Sequence, residues 1–490
     1  MPIPTAVPPT PLLCMASEDV SMTNTVEFDD FEARSQSFVA WLQQNGTVVS
    51  SSIELADLRR HGAGRGVLAK TDIAEDEELF AVPRSSILSI ATSNLPVELK
   101  TQLDDPWLGL ITAMVHEYQR GSESMWEPYC AVLPVDFNTP MFWSEDELDS
   151  LRGSAVVDKI GKPTADRTFR EQVIPMIRQY ATAFHAEDMK DEDLILLCHR
   201  MGSTIMAYAF DLEKPSTTDP HDQEDGWEED EEESKSMSKG MIPLADMLNA
   251  DADRNNAQLY YEEDKVVMKS IRAIKAGEEI FNDYGPLPTA DVLRRYGYVT
   301  SNYAQYDVVE VSLQLIKDVA EEQMKMSDQD LERRVRYLDE EEILDESYDI
   351  SRSHNEDTKP FSDELCILLS ALALPAVEFE NLQRNGKLPR PALEPSSAGL
   401  LSAVLHKRQD LYKDTANPEN GTCGDAGTIN DVTVEPRSAH RRGMAQQVIQ
   451  GEQSVLFEAL AMLKEMPAPT RGKRKATGAD TGNTGKKQKG

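Results

Sequence analysis

Apolar residues near the start of the chain recur with the period of an amphipathic helix. Phe38, Trp41 and Leu42 fall on one face of the segment 35–45, which predicts a helix there. The same period returns from about 95 to 209, where apolar stripes alternate with charged positions. We therefore predict a long, mainly helical stretch in this part of the chain.

Short apolar runs separated by polar turns predict strands on either side of that helical stretch. Two runs, 67–69 and 79–82, flank a polar segment, and we interpret them as antiparallel strands joined through a turn. Further strand-like runs lie at 257–261, 266–271 and 279–281. The helical stretch thus separates two β-rich stretches of sequence.

Helical spacing dominates again towards the C-terminus. The segment 289–296 opens on Thr289, a residue type that favours the N-cap position. Beyond 307 helical patterns prevail, notably over 363–382 and 444–466. A second, all-helical domain is therefore expected after the β-rich one.

These patterns predict an α+β fold in two domains. A chain of 490 residues is longer than one hydrophobic core normally supports, which agrees with two domains and flanking tails. The predicted segments are a disordered N-terminus (1–27), a β-rich domain (28–305) with a helical insertion (about 95–215) and an acidic loop (218–239), a helical domain (306–466) and a basic tail (467–490).

The charge of the chain is unevenly distributed. The formal net charge is −36, yet the tail from 467 onward has seven Lys/Arg and one acidic residue. Its charge of +6 leaves −42 on the rest of the chain. An acidic body repels phosphates and attracts a basic protein substrate, although it also favours solubility. We expect no direct nucleic-acid binding.

Several classes of protein are disfavoured by the sequence. No stretch approaches the roughly 20 apolar residues of a membrane span, and no basic residue precedes the short apolar run near the N-terminus, as a secretory signal would require. The five cysteines form no CxxC pair and the eight histidines show no HxxxH spacing. We therefore expect neither a disulfide framework nor a metal site.

Three short motifs carry the candidate chemistry. Residues 62–69 read Gly-Ala-Gly-Arg-Gly-Val-Leu-Ala, residues 240–249 read Gly-Met-Ile-Pro-Leu-Ala-Asp-Met-Leu-Asn, and residues 277–285 read Gly-Glu-Glu-Ile-Phe-Asn-Asp-Tyr-Gly. Glycines let a backbone approach a ligand closely, and a tyrosine at the end of a strand can direct its hydroxyl into a narrow channel. Each motif is weak alone, but the ordered set is specific.

With these motifs in this order, the chain resembles the SET-domain lysine methyltransferases. It is most similar to the branch of the plant Rubisco large-subunit methyltransferase and the fungal ribosomal-protein lysine methyltransferases. The similarity spans about 30–465, and both 125–129 and 140–143 look like the family's inserted region. The resemblance implies a SET domain over 28–305, a C-terminal helical domain that contacts substrate, and S-adenosylmethionine as the cofactor of lysine N-methylation.

The resemblance also assigns roles to individual residues. Tyr284 matches the catalytic tyrosine, which is expected to orient the lone pair of the amine. The expected cofactor-binding residues are Gly64, Arg65, Gly66, Tyr208, Asn249, Ala250, Tyr284 and Tyr296. The expected substrate-binding residues are Trp126, Tyr208 and Asp211. Asp246 either supports the Asn249 turn or caps it. On chemistry alone, each aromatic residue could equally be an ordinary core residue.

Two positions depart from the family pattern. Ala250 stands where a histidine commonly follows Asn249, so only its backbone can serve the cofactor. Tyr208 stands where the arginine of a Ser-Arg-x-Phe sequence reaches the cofactor's carboxylate, and a phenol cannot form the bidentate pair that arginine makes. These departures keep a second interpretation open, a non-catalytic SET-fold module that binds basic partners.

The basic tail indicates where the protein acts. Arg-Gly-Lys-Arg-Lys at 471–475 and Lys-Lys-Gln-Lys at 486–489 resemble a bipartite nuclear import signal. We therefore expect recognition by an import receptor and a nuclear location. Combined with the resemblance, this predicts a nuclear protein-lysine N-methyltransferase whose substrate is a basic ribosomal protein. Histones or other nuclear proteins are alternative substrates.

Overall fold

The computed structural model describes residues 30–61, 64–212, 238–352, 359–412 and 436–465. The predicted N-terminal segment (1–27), nearly all of the acidic loop and the basic tail (467–490) lie outside the described residues. No helix within the described ranges has both the length and the apolar character needed to cross a membrane.

Helices and strands alternate in the first half of the described chain, and helices dominate the second half. The helices are α1 (Phe31–Gln44), α2 (Val97–Lys100), α3 (Pro106–Gln119), α4 (Glu127–Cys130), α5 (Glu145–Leu148), α6 (Lys162–Thr168), α7 (Ile174–Gln179), α8 (Asp191–Tyr208), α9 (Thr289–Tyr296), α10 (Leu313–Met324), α11 (Asp328–Glu340), α12 (Asp363–Ala373), α13 (Ala376–Arg384), α14 (Pro395–Asp410) and α15 (Pro436–Glu465). The strands are β1 (Val48–Val49), β2 (Ile53–Asp57), β3 (Arg65–Ala69), β4 (Glu78–Pro83), β5 (Ala209–Asp211), β6 (Lys239–Met241), β7 (Asn249–Ala250), β8 (Ala257–Tyr261), β9 (Lys265–Ser270), β10 (Phe281–Asn282), β11 (Val308–Ser312) and β12 (Ser347–Ser351).

The described strands form one four-stranded sheet and several strand pairs. The larger sheet is antiparallel, in the order β1-β4-β9-β8. The pairs β2–β3, β5–β6 and β11–β12 are antiparallel, whereas β7–β10 is parallel. The β4–β9 pairing joins strands from opposite sides of the helical insertion, so the larger sheet is assembled from distant parts of the chain.

The prediction that the runs at 67–69 and 79–82 pair with each other is wrong. β3 pairs with β2, while β4 lies between β1 and β9. The end of β3 and the residues after it bond to a distant segment instead. The N–H of Ala69, the last residue of β3, donates to the carbonyl of Glu278 at 2.9 Å, and Ile73 exchanges backbone hydrogen bonds with Ile274. Local alternation does not identify a partner so remote in sequence.

Two large hydrophobic clusters divide the described chain. The first extends from Phe38 to Ile280 and joins the sheets to the inserted helices. The second extends from Val309 to Leu460. The α+β class is confirmed, although the strands β11 and β12 lie within the second cluster, so the C-terminal region is not wholly helical. The predicted boundary near 305 falls between the clusters and stays a prediction.

Two local predictions in the C-terminal half are also wrong. The predicted helix over 363–382 is interrupted, because Pro375 has no N–H with which to continue it and α13 starts anew after the proline. Thr289 is not an N-cap, since that position is Pro288. The N–H of Thr289 donates instead to the carboxylate of Asp307 at 2.9 Å, a partner beyond the helix.

Candidate active site

The three motifs identified in the sequence meet through backbone hydrogen bonds. The asparagine motif (240–249) ends in β7, which runs parallel to β10 of the tyrosine motif (277–285), with Asn249 opposite Phe281. The N–H of Ile280 donates to the carbonyl of Val67 at 2.8 Å, which joins the tyrosine motif to the glycine strand β3. The motifs therefore form one structural unit although they are far apart in the chain.

Gly66 marks the closest approach between the glycine strand and the asparagine motif. A Cβ at this position would lie 2.9 Å from Oε1 of Glu279 and 3.1 Å from Nδ2 of Asn249, and it would collide with Leu58. The amide of Asn249 donates to Glu279 at 2.6 Å and to the carbonyl of Arg65 at 3.4 Å. Only glycine leaves room for this amide.

A cavity of about 350 Å³ lies beside these bonds. Its wall includes Gly64, Arg65 and Asn249 from the motifs, Tyr208 from the end of α8, and Asp246. The rest of the lining comes from α1, Arg59, Met247 and the stretch 131–135. This volume lies within the range of small-molecule binding sites. A larger cavity of about 1010 Å³ among the C-terminal helices contains none of the predicted site residues.

Asp246 places a buried carboxylate at this cavity. Its side chain is 7% exposed, and Oδ2 accepts a hydrogen bond from the phenol of Tyr129. The other oxygen, Oδ1, has no hydrogen-bond partner among the described residues. Burial raises the pKa of Asp246 to about 7, although the Tyr129 phenol and nearby backbone amides oppose this effect.

Arg65 brings a positive charge to the same cavity. Its guanidinium lies 4.0 Å from the ring centre of Phe31 and donates to Oγ of Ser35 at 3.2 Å and to the carbonyl of Val132 at 3.1 Å. These partners are neutral, and no carboxylate of the described chain lies within ion-pair distance. Burial, together with two neighbouring arginines, lowers the pKa of Arg65.

Tyr284 belongs to a group of tyrosines that adjoins the cavity. Its ring stacks on Tyr296, with centroids 4.2 Å apart and planes 5° apart. Burial, and then the nearby phenols of Tyr296 and Tyr208, raise the pKa of Tyr284 well above its usual value. Burial raises the pKa of Tyr296 to about 12, and burial together with Asp246 raises that of Tyr208 to about 12. All three phenols are therefore neutral near neutral pH.

Six of the ten sequence-predicted site residues are absent from the wall of the cavity, namely Gly66, Tyr284, Tyr296, Trp126, Asp211 and Ala250. Trp126 is 0% exposed and packs against Trp41 and Tyr129 in the core, so its predicted contact with substrate has no support here. Asp211 accepts a hydrogen bond from Lys239 at 2.6 Å and does not line the cavity. Ala250 takes part in the β7–β10 pairing through its backbone.

Some residues of the site were not assigned to it from the sequence. Glu279, which holds the amide of Asn249, lies inside the tyrosine motif, and an acidic residue opposite an asparagine could have been noticed there. Phe31 and Arg34 line the cavity from α1, and no local pattern connects that helix with the motifs. Among the described residues, no group of three or more His, Cys, Asp or Glu side chains could hold a metal ion.

Comparison with known proteins identifies the family of this chain. The sequence model of the SET domain family matches residues 64–285. The chain is 35% identical over 343 residues to ribosomal lysine N-methyltransferase 4 of Saccharomyces cerevisiae, covering 66% of this chain and 68% of that protein. This chain belongs to the SET-domain protein-lysine methyltransferases. It is an enzyme, and its cofactor is S-adenosylmethionine.

More distant relatives extend over most of the chain. N-lysine methyltransferase SETD6 of Homo sapiens is 28% identical over 441 residues, covering 82% of this chain and 84% of that protein. A solved structure of Rubisco LSMT bound to AdoMet aligns with a TM-score of 0.59 at 17% identity, covering 88% of this chain and 91% of that one. At this identity the structural match shows the shared SET fold.

The cavity beside the motifs has features that fit S-adenosylmethionine. Gly64 lies in the wall of the cavity, where a Cβ would have nothing within 4 Å, and Arg65, Asn249 and Tyr208 add polar groups to the same wall. Gly64 and Arg65 would hold the cofactor from the glycine strand, Asn249 from the asparagine motif and Tyr208 from α8. When bound, the cofactor supplies an electrophilic methyl group on a sulfonium.

Proposed function

We propose that this enzyme methylates a lysine of a basic ribosomal protein, with Tyr284 as its catalytic residue. The observation that carries the catalytic assignment is the stacked pair of Tyr284 and Tyr296 beside Tyr208, which also lines the cavity. This arrangement puts neutral phenols where a lysine side chain would meet the methyl donor.

The chemistry requires a neutral amine, whereas free lysine has a pKa of about 10.4. A channel walled by aromatic rings penalises the ammonium form and lowers the pKa of the substrate lysine. Tyr284 keeps its proton because burial raises its own pKa, so its hydroxyl can orient the amine without adding a charge. Fixing the nitrogen in line with the methyl–sulfur bond then removes most of the entropic cost of the displacement.

The choice of a ribosomal substrate rests on two observations. The 35% identical relative in Saccharomyces cerevisiae is a ribosomal lysine N-methyltransferase. The chain outside its basic tail is strongly acidic, and an acidic surface attracts basic proteins such as those of the ribosome.

The nucleus is the proposed site of action, because the clusters at 471–475 and 486–489 resemble a bipartite import signal. That signal also supports a second candidate, methylation of histones or other basic nuclear proteins. A non-catalytic binding module has less support, since Tyr284 and the glycine strand are both retained.

Incubation with radiolabelled S-adenosylmethionine tests both candidates when purified ribosomal subunits and histone octamers are supplied in parallel. We expect label on a lysine of a ribosomal protein. Tyr284→Phe should reduce the rate at least a hundredfold, on the order of 3 kcal/mol. The matched control Tyr260→Phe should retain it, because the Tyr260 phenol bonds only weakly, to Gln258 at 3.4 Å. Label on histones alone would overturn the ribosomal assignment, and an active Tyr284→Phe would overturn the catalytic one.

A further inference from the structure

We propose that Arg200, Arg437 and Arg441 form a binding site for an oxyanion, a carboxylate or a phosphate, carried by a ligand that also has an apolar part. The site is a cavity of about 370 Å³ between α8, the start of α15 and the segment 135–147. It is distinct from the candidate active site, because none of the ten sequence-predicted site residues lies in its wall.

Two guanidinium groups meet at one point of this cavity. Nη2 of Arg437 donates to the carbonyl of Phe137 at 3.0 Å, and Nη2 of Arg441 donates to the same carbonyl at 3.2 Å. The two arginines are four residues apart in α15 and therefore lie on one face of that helix. Cations this close repel each other, and an anion bound next to both lowers that repulsion.

The described chain neutralises these two arginines unequally. Arg441 is buried and donates to Glu147 at 2.8 Å, so it already has a counter-charge. The side chain of Arg437 is 49% exposed, and the carboxylate of Asp136 lies 3.8 Å from it with a side chain that is 83% exposed. That distance is too long for a hydrogen bond, and exposed ion pairs contribute little. Arg437 therefore retains N–H donors for a ligand.

Arg200 adds a third guanidinium to the wall, and this one has no anionic partner. Its guanidinium carbon lies 5.1 Å from the ring centre of Tyr118, but its side chain makes no hydrogen bond and no ion pair within the described chain. Acidic residues outnumber basic ones in the sequence, 86 against 50, so carboxylates are plentiful. Nε of Arg200 is enclosed by protein, which leaves the two terminal nitrogens as donors for an external anion.

Apolar side chains complete the wall of this cavity. Val135 and Leu196 are 57% and 54% exposed, although both are aliphatic. Phe137 and Phe142, in the same wall, stack with centroids 5.4 Å apart and planes 19° apart. The planar fork of an arginine fits the paired oxygens of a carboxylate or a phosphate. Exposed apolar residues around such groups match a ligand that joins one of these anions to an apolar part.

The site adjoins the cofactor cavity without sharing its charges. Val135 belongs to the walls of both cavities, whereas no arginine is common to the two walls. An anion held by Arg200 and Arg437 should therefore bind alongside S-adenosylhomocysteine and should not compete with it.

Calorimetric titration of the full chain at low ionic strength tests the site with three probes. The probes are phenyl phosphate, phenylacetate and inorganic phosphate. We expect the aromatic anions to bind, and the tighter of the two identifies the preferred oxyanion. Inorganic phosphate, which lacks the apolar part, should bind about tenfold more weakly than phenyl phosphate.

Substitution of the arginines tests the charged part of the site. Arg437→Met and Arg200→Met should each weaken binding of the aromatic anions on the order of tenfold. Arg152→Met is the matched control, because Arg152 is exposed, is paired with Asp149 and lies outside the cavity wall. Its affinity for the probes should equal that of the wild-type protein.

Leu196→Ala separates the apolar contribution from the charge. It should weaken phenyl phosphate and leave inorganic phosphate unchanged, whereas Val97→Ala, at an exposed residue outside the cavity, should change neither. Failure of the wild-type protein to bind either aromatic anion would overturn the proposal, as would equal affinities of wild type, Arg437→Met and Arg200→Met. Loss of phenyl phosphate binding in saturating S-adenosylhomocysteine would assign the anion to the cofactor cavity and would also overturn it.

Discussion

Two regions of this protein bury carboxylates, and they differ in the hydrogen-bond partners that the described chain supplies to those carboxylates. The first region is the contact between α15 and the inserted region. There Glu452 accepts hydrogen bonds from Oγ of Ser154 and from the phenol of Tyr412, both at 2.5 Å. In the same contact Arg441 donates to Glu147 at 2.8 Å. Both carboxylates thus have partners supplied by the protein itself.

The second region is the cavity, where the protein does not complete the partnerships. Arg65 has no carboxylate within ion-pair distance in the described chain, and one oxygen of Asp246 has no hydrogen-bond partner there. Removing one partner of a buried charge is costly, because the other partner is left buried without compensation. The two regions therefore differ in whether each oxygen of a buried carboxylate has a hydrogen-bond partner in the described chain.

The largest effect on stability is expected from breaking the α15 contact. Glu452→Ala removes a hydrogen-bond acceptor of Ser154 and of Tyr412, and it also removes the carboxylate that lies 3.9 Å from Arg408. We expect a loss of about 3–5 kcal/mol in the free energy of unfolding, measured by denaturant titration. The exposed pair of Asp72 and Lys275 is the control, and Asp72→Ala should lower the free energy of unfolding far less than Glu452→Ala does. Equal losses in the free energy of unfolding from the two substitutions would contradict a larger contribution of the buried contact.

A smaller, pH-dependent effect is expected in the cavity. The folded-state pKa of Asp246, about 7, lies above its ordinary value of 3.8. The stability it contributes is therefore fully present below pH 3.8 and is lost as pH rises through about 7. Relative to Asp246→Asn, the ligand-free wild-type protein should lose about 2–3 kcal/mol between pH 5 and pH 8. Denaturant titrations of both proteins at the two pH values measure this, and a pH-independent difference would contradict a buried, strained carboxylate.

The smallest effect concerns the glycine strand. Gly66→Ala would place a Cβ against Glu279 and Asn249, and we expect a loss of about 1–3 kcal/mol in unfolding free energy. Gly64→Ala is a matched control two residues away, because a Cβ there has nothing within 4 Å. Its stability should stay close to that of wild type. If both variants have the same free energy of unfolding, the close approach at Gly66 does not affect stability.

Local patterns predicted the elements better than their partners. The runs at 257–261 and 289–296 coincide with β8 and α9, because a strand or a short helix follows from a handful of neighbouring side chains. The partners of β3 and β4 were missed: β3 pairs with β2 just before it in the chain, and β4 pairs with β9, which lies far along the chain.

The site was predictable to the extent that motifs mark it. Asn249 and the glycine strand meet as the ordered motifs imply. The burial of Trp126 was not foreseeable, because the sequence of a short motif does not distinguish a core tryptophan from one at a binding surface. Nor could the sequence reveal that Arg65 has no carboxylate of the described chain within ion-pair distance, since that depends on which acidic residues the fold brings to it.

The most direct measurement is a crystal structure of the protein with bound S-adenosylhomocysteine. The account predicts the homocysteine part in the cavity between Gly64 and Asn249, with its sulfur facing Tyr284. A ligand bound elsewhere, with water alone in this cavity, would contradict it.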